Sequence, residues 1–220
     1  MTEYYLNEKN FVDTDYKFEK IHDQLYLIEN FITEEERVTI LNFAKNRTQQ
    51  EWEFIYINNL KDQMKAEFNT DDLDKLQAEG KLILNMEWYD RCFVTRNYFP
   101  EIEKRWTEEV HKLFKGQNLS IRSFSTIQRH QPGNSMKEHI DNDHNENLIF
   151  AGVTYLNDDY NGGELYFRKL NITLKPPARS LALFSTTGEF IHGIKEVLDG
   201  PTRYAMPCFL WKEDPNPTWY

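Results

Sequence analysis

From Leu119 to Trp211 the chain is a succession of short β-rich runs broken by turn residues: Ser120 to Arg129, Leu148 to Leu156, Glu164 to Leu170, Ser180 to Ser185 and Arg203 to Trp211. Runs of this length, rich in Val, Ile, Thr, Tyr and Phe, read as strands. Gly162-Gly163 between two of them reads as a hairpin turn. Such strands bury an apolar face only by closing on one another, so this half predicts an antiparallel barrel-like β structure. The first half predicts its support. Gln24 to Ile28 is strand-like, Thr33 with Glu36 forms a capping box, and Val38, Ile40, Leu41 and Phe43 give a helical stripe to about Asn46. Leu60 to Gly80 is highly charged, with Met64, Phe68, Leu73 and Leu76 at helical intervals, and predicts a helical insertion bordering the mouth of the barrel. Pro100 to Phe114 predicts a second supporting helix, with Ile102, Trp106, Val110 and Leu113 on one face. Residues 1–20 and 212–220 read as an irregular lead-in and an extended tail.

The fold class is therefore mainly β with supporting helices (α+β). The 220 residues suffice for a single domain with a substantial core: lead-in 1–20, helical support region 21–118 and β core 119–211. Lys and Arg total 26 against 36 Asp and Glu, a net charge of −10, with no Lys/Arg-rich block. Phosphate neutralisation needs clustered positive charge, so a nucleic-acid partner is not expected, whereas an acidic surface suits a basic substrate. Cys92 and Cys208 lie among apolar residues and read as free, buried thiols. The N-terminus lacks a signal-peptide core and no apolar run approaches the ~18 residues of a membrane helix, so a cytoplasmic protein without membrane association is expected.

Within this β region, His139 and Asp141 are separated by one residue, and His192 follows far downstream, after the strand-like Ser180 to Ser185. Alternate side chains of a strand face the same way, so His139 and Asp141 can reach one ion while Ile140 faces away, and His192 completes the set from a neighbouring strand. Two imidazoles and one carboxylate on one face of an Fe(II) ion leave its other positions open. A bare His-x-Asp pair arises by chance and is by itself weak. The surrounding sequence strengthens it: Pro132-Gly133 precedes the pair, Thr154 to Phe167 lies between the ligands, and Arg203 follows His192 shortly before an apolar run.

With these features the chain resembles the prolyl 4-hydroxylase-like branch of the Fe(II)- and 2-oxoglutarate-dependent dioxygenases, most clearly from about Ile121 to Trp211 and more loosely over Leu25 to Glu36. The resemblance implies a double-stranded β-helix (jelly-roll) core. It makes His139, Asp141 and His192 the iron ligands and Arg203 the post for the distal carboxylate of 2-oxoglutarate. Guanidinium suits that task, because its planar fork holds a carboxylate in a bidentate pair. Tyr155 would bond the same carboxylate, and Leu165 would pack on the methylene chain of the co-substrate. His130 stands where many relatives have a tyrosine near the co-substrate. Ala178-Arg179 interrupts the glycine-containing turn often seen before the Leu-Phe strand. The implied cofactors are Fe(II), 2-oxoglutarate and O2, with ascorbate as an accessory reductant. The implied reaction is hydroxylation of a prolyl residue in a peptide or protein, with release of succinate and CO2.

Each residue also has a structural reading. His130 can be a hydrogen-bonded wall residue, Tyr155 core packing, and His144 a solvated loop residue, while His22 and His111 sit beside charges and look like surface. Two other functions compete with prolyl hydroxylation. One is the same oxygenase chemistry on a free amino acid, another side chain or a nucleobase; the other is a binding module that has lost turnover. The acidic charge and the run Tyr204 to Cys208, with no second arginine after Arg203, count against a nucleobase.

Overall fold

The computed structural model describes residues 6, 16–48, 52–54, 90–93, 99–114, 119–122, 126–141 and 147–212. The expected helix over Leu60 to Gly80, His144 and the tail beyond Lys212 lie outside these residues, as does the side chain of Cys92.

Two antiparallel sheets face each other. The larger runs β1 (Lys17–His22), β2 (Leu25–Glu29), β11 (Leu181–Ser185), β8 (Leu148–Tyr155), β13 (Arg203–Lys212), β6 (Thr126–His130), β4 (Asp90–Phe93) and β3 (Glu53–Phe54), with β5 (Leu119–Arg122) also on β13. The smaller runs β10 (Ile172–Leu174), β9 (Leu165–Phe167), β12 (His192–Ile194) and β7 (Met136–His139). This is a double-stranded β-helix core, the fold expected from the resemblance.

Period-two alternation separates two cores. On β11, Leu181 and Leu183 face the helices with Ile28, Trp106 and Phe150, whereas Ala182 and Phe184 face the smaller sheet with Leu25, Tyr155, Leu165 and Phe167. Because both faces are covered, all five β11 residues are buried. Each large apolar side chain so buried contributes about 1.5–3 kcal/mol.

The helices close the outer face of the larger sheet. Helix α1 (Glu34–Lys45) starts at the predicted capping box: Thr33 Oγ1 accepts from the Glu36 amide at 3.1 Å, and the Glu36 carboxylate accepts from the Thr33 amide at 2.9 Å. The same carboxylate takes a two-pronged bond from Arg105 of α2 (Pro100–Leu113), which ties the helices together beside Phe31 and Trp106.

Several expectations are corrected. Residues 17–20, expected as the end of an irregular lead-in, open strand β1, because Lys17 to Lys20 pair with Tyr26 to Glu29 across a tight turn. The region 21–118 adds strands as well as helices to the larger sheet. The run Ser120 to Arg129 is two strands, β5 and β6, which pair in tandem along one edge of β13. Lys212 ends β13 rather than opening a tail. His22 is half-buried, its ring edge on Phe190, rather than a plain surface residue. Cys208 is a free, buried thiol, as expected. Among the described residues, no helix is long and apolar enough to cross a membrane.

Candidate active site

His192 opens β12 and lies directly opposite His139, the last residue of β7; on its other side it pairs with Phe167 of β9. The strand ends at His139, so Asp141 sits in the following turn, not on the same regular strand as the alternation argument supposed. Its carboxylate still meets both imidazoles: Oδ1 is 3.4 Å from His139 Nε2 and Oδ2 is 3.6 Å from His192 Nε2. All three residues offer ligand atoms within 4.8 Å of one another. Ligands about 2.1 Å from one ion on a single face sit roughly 3 Å apart, so this set needs only a small closure around a cation.

The imidazoles are oriented for that task. His139 Nδ1 contacts the Lys137 carbonyl at 2.8 Å and His192 Nδ1 the Phe190 carbonyl at 3.0 Å. A carbonyl only accepts, so each Nδ1 carries the proton and each Nε2 lone pair faces the carboxylate, the arrangement a metal site requires. Burial among Phe167, Phe184 and Phe190 pushes the His192 pKa down to about 4, which keeps it neutral at pH 7. Burial disfavours charge on Asp141, but a hydrogen bond from His139 and the positive charge that His192 and His139 take up in acid outweigh it and hold the carboxyl below its ordinary value. The donors therefore fit a divalent cation: one anion and neutral nitrogens, half-open at His139 and closed at His192.

A second polar cluster forms behind Tyr155. Arg203, the first residue of β13, is only 1% exposed and pairs in register with His130 of β6. Its Nη1 donates to His130 Nδ1 at 3.3 Å, and its guanidinium lies 5.0 Å from the Tyr155 ring centre and 6.0 Å from that of Tyr160. Burial, with Arg203 beside it, drives the His130 pKa well below normal, so His130 is a neutral acceptor. Among the described residues no carboxylate pairs with Arg203, and its Nε and Nη2 reach no acceptor at good geometry, with the Tyr155 and Tyr160 hydroxyls nearby. A buried, uncompensated cation costs several kcal/mol, so this end fits an anionic ligand.

The structure thus brings His139, Asp141 and His192 together, and separately Arg203, Tyr155 and His130. Leu165 stands in the apolar cluster between them, with Tyr155, Phe167 and Phe184. Two neighbours were not assigned from sequence. Asn157 clamps the start of β13, its amide donating to the Thr202 carbonyl at 2.8 Å and its oxygen accepting from the Tyr204 amide at 2.7 Å. Tyr160 is fully buried against Arg203. Both lie in the Thr154 to Phe167 segment that carries the resemblance, which marks the segment but not their roles.

Residues 125–211, which hold both clusters, match the model of the 2OG-Fe(II) oxygenase superfamily. Over that stretch the chain is similar to this superfamily. Three solved structures share this fold. A viral collagen prolyl hydroxylase from Paramecium bursaria Chlorella virus-1, in its 2OG complex, is 13% identical with a TM-score of 0.57, covering 87% of this chain and 97% of its own. A Pseudomonas putida prolyl-4-hydroxylase is 13% identical with a TM-score of 0.59, over 87% and 94% of the two chains. A Trichoplax adhaerens prolyl hydroxylase, in complex with a hypoxia inducible factor oxygen degradation domain peptide fragment, is 14% identical with a TM-score of 0.59, over 86% and 84%. No curated protein matches the sequence. The match covers His139, Asp141 and His192, the three residues able to hold a metal ion, and Arg203.

Proposed function

We propose that this protein is an Fe(II)- and 2-oxoglutarate-dependent oxygenase that hydroxylates a prolyl residue in a peptide or protein, with 2-oxoglutarate converted to succinate and CO2. His139, Asp141 and His192 would hold Fe(II), and Arg203 would hold the distal carboxylate of 2-oxoglutarate. The carrying observation is the buried guanidinium with its Nε and Nη2 unmatched, joined to the three-residue cation site through one apolar cluster. Bound Fe(II) and 2-oxoglutarate supply the O2 activation, coupled to decarboxylation, that places a hydroxyl on an unactivated carbon.

The chain supplies binding, orientation and dryness. Neutral His130 holds one arm of Arg203 and leaves its outer edge for the ligand. Tyr155 donates to the same carboxylate, and Leu165 packs on the methylene chain. Phe167 and Phe184 keep water from His192. Ascorbate serves as an accessory reductant, and the whole chain acts as one domain. The prolyl assignment is supported by three prolyl hydroxylase folds and by the peptide bound to one of them.

Anaerobic addition of Fe(II) and 2-oxoglutarate should produce the weak visible charge-transfer band of a chelate. O2 with proline-rich peptides should then stimulate succinate formation and add one oxygen to the peptide. A band without peptide stimulation would redirect the substrate to another class, and no band in folded protein would remove the cofactor assignment.

A further inference from the structure

Among the described residues, Arg203 Nε and Nη2 reach no acceptor at good geometry, and the hydroxyls of Tyr155 and Tyr160, close enough to accept from Arg203, have no acceptor for their own protons. Thr154 Oγ1 is also unmatched, but strand alternation puts it on the opposite face from Tyr155. A carboxylate offers two oxygens with about four lone-pair sites. Nε and Nη2 form one edge of the guanidinium fork and suit a bidentate pair, which leaves two sites for two hydroxyls.

We propose that Tyr160 is a second hydroxyl donor to the carboxylate held by Arg203, so that the distal end of the co-substrate is read by two tyrosines. This rests on the reading of Arg203 as the carboxylate post. Without Tyr160, one lone pair of the ligand would go unmet where water is excluded, a deficit that costs affinity.

The loop is built to place this ring. Gly163, at φ +65°, separates Tyr160 from Arg203: a Cβ there would lie 3.2 Å from Tyr160 Cδ2 and 3.2 Å from Arg203 Cδ. Lys175 Nζ donates to the Tyr160 carbonyl and lies 4.9 Å from the ring centre, fixing the residue from its other side. Burial pushes the Tyr160 pKa up to about 12 against the opposing pull of Arg203, so the phenol keeps its proton at neutral pH.

The test is calorimetric titration of the full chain loaded with Mn(II). Wild type, Tyr160→Phe and Arg203→Met are each titrated with 2-oxoglutarate and with 2-oxopentanoate, which has the keto acid but lacks the far carboxylate. Tyr160→Phe should weaken 2-oxoglutarate about tenfold, as expected for a lost bond to a charged group, and leave 2-oxopentanoate within about twofold. Its melting temperature should change little, because the hydroxyl touches only the strained contact with Arg203 and no acceptor takes its proton. Equal weakening of both ligands, or full 2-oxoglutarate affinity in Tyr160→Phe while Arg203→Met loses it, would overturn the role of Tyr160 alone. Wild-type affinity in Arg203→Met would overturn the Arg203 reading and this inference with it.

Discussion

The two polar ends of the core solve opposite electrostatic problems. At the cation end, Asp141 meets two imidazoles whose outer nitrogens are already tied to backbone carbonyls. At the anion end, a guanidinium lies among neutral groups, His130, Tyr155 and Tyr160, and meets no carboxylate among the described residues. The first end is partly satisfied without any ligand and partly open to solvent; the second is closed and left incomplete by the protein. A binding site of the second kind is held at a cost to folding, so its residues should trade stability for affinity, whereas the first should not.

The sharpest break in that comparison is Asp141→Ala. It removes the only anionic ligand of the proposed iron site, and Mn(II) or Fe(II) affinity should fall by more than about 100-fold, since even losing an outer-shell partner costs 10–100-fold. The melting temperature of the metal-free protein should change little, because the turn residue packs no core. Metal titration checks the first outcome and thermal unfolding the second; retained metal affinity would dissolve the triad.

Arg203→Met should behave in the reverse sense. Filling the site with an apolar side chain removes a buried unpaired charge, so the ligand-free protein should gain about 1 kcal/mol or hold even. Affinity for 2-oxoglutarate should fall roughly 30-fold or more, as for truncating a buried charge pair. Chemical denaturation and ligand titration on the same variant separate the two effects. A variant that loses stability and keeps affinity would mean that Arg203 is a structural residue.

Acid sharpens the contrast further. His130 and His192 both have folded pKa values depressed by burial, His192 to about 4. The unfolded chain takes up protons near pH 6.5 that the folded chain refuses, so stability is full above that pH and declines as pH falls toward the folded values. Each histidine contributes about 1.4 kcal/mol per pH unit within its window. His130→Gln keeps an acceptor for Arg203 but cannot titrate. It should reduce the stability lost between pH 6.5 and 5.5 by about that amount, measured by denaturant unfolding at both values.

The two ends also differ in how far the sequence discloses them. The cation end rests on a local pair and one histidine placed by strand pairing, so alternation and spacing reach it, missing only that β7 stops at His139. The anion end is gathered from β6, β8, β13 and the 160–163 turn, and which side chains meet there depends on sheet order. Arg203 and Tyr155 are legible through the family pattern. Tyr160 is not, because nothing local distinguishes a tyrosine facing a buried cation from one packed in a core. The helices follow from their caps and stripes, whereas β1 escapes because its polar run gains order only by pairing with β2.

The smallest test concerns the turn that feeds the anion end. Arg179 stands at φ +74°, a left-handed conformation that costs a non-glycine residue about 1 kcal/mol, where the family pattern often has glycine. What holds it is a set of bonds: its Nε donates to the Ile32 carbonyl at 2.9 Å, and its amide donates to the Tyr155 carbonyl at 2.8 Å. Arg179→Ala keeps the strained backbone and loses the side-chain bond, so it should destabilise by about 1 kcal/mol. Arg179→Gly loses the same bond but relieves the strain, so the effects should nearly cancel, to within about 0.5 kcal/mol. The gap between the two variants in denaturant unfolding therefore measures the strain stored beside Tyr155. Equal destabilisation would mean that the left-handed turn costs nothing and that the anion end carries its only tension at Arg203.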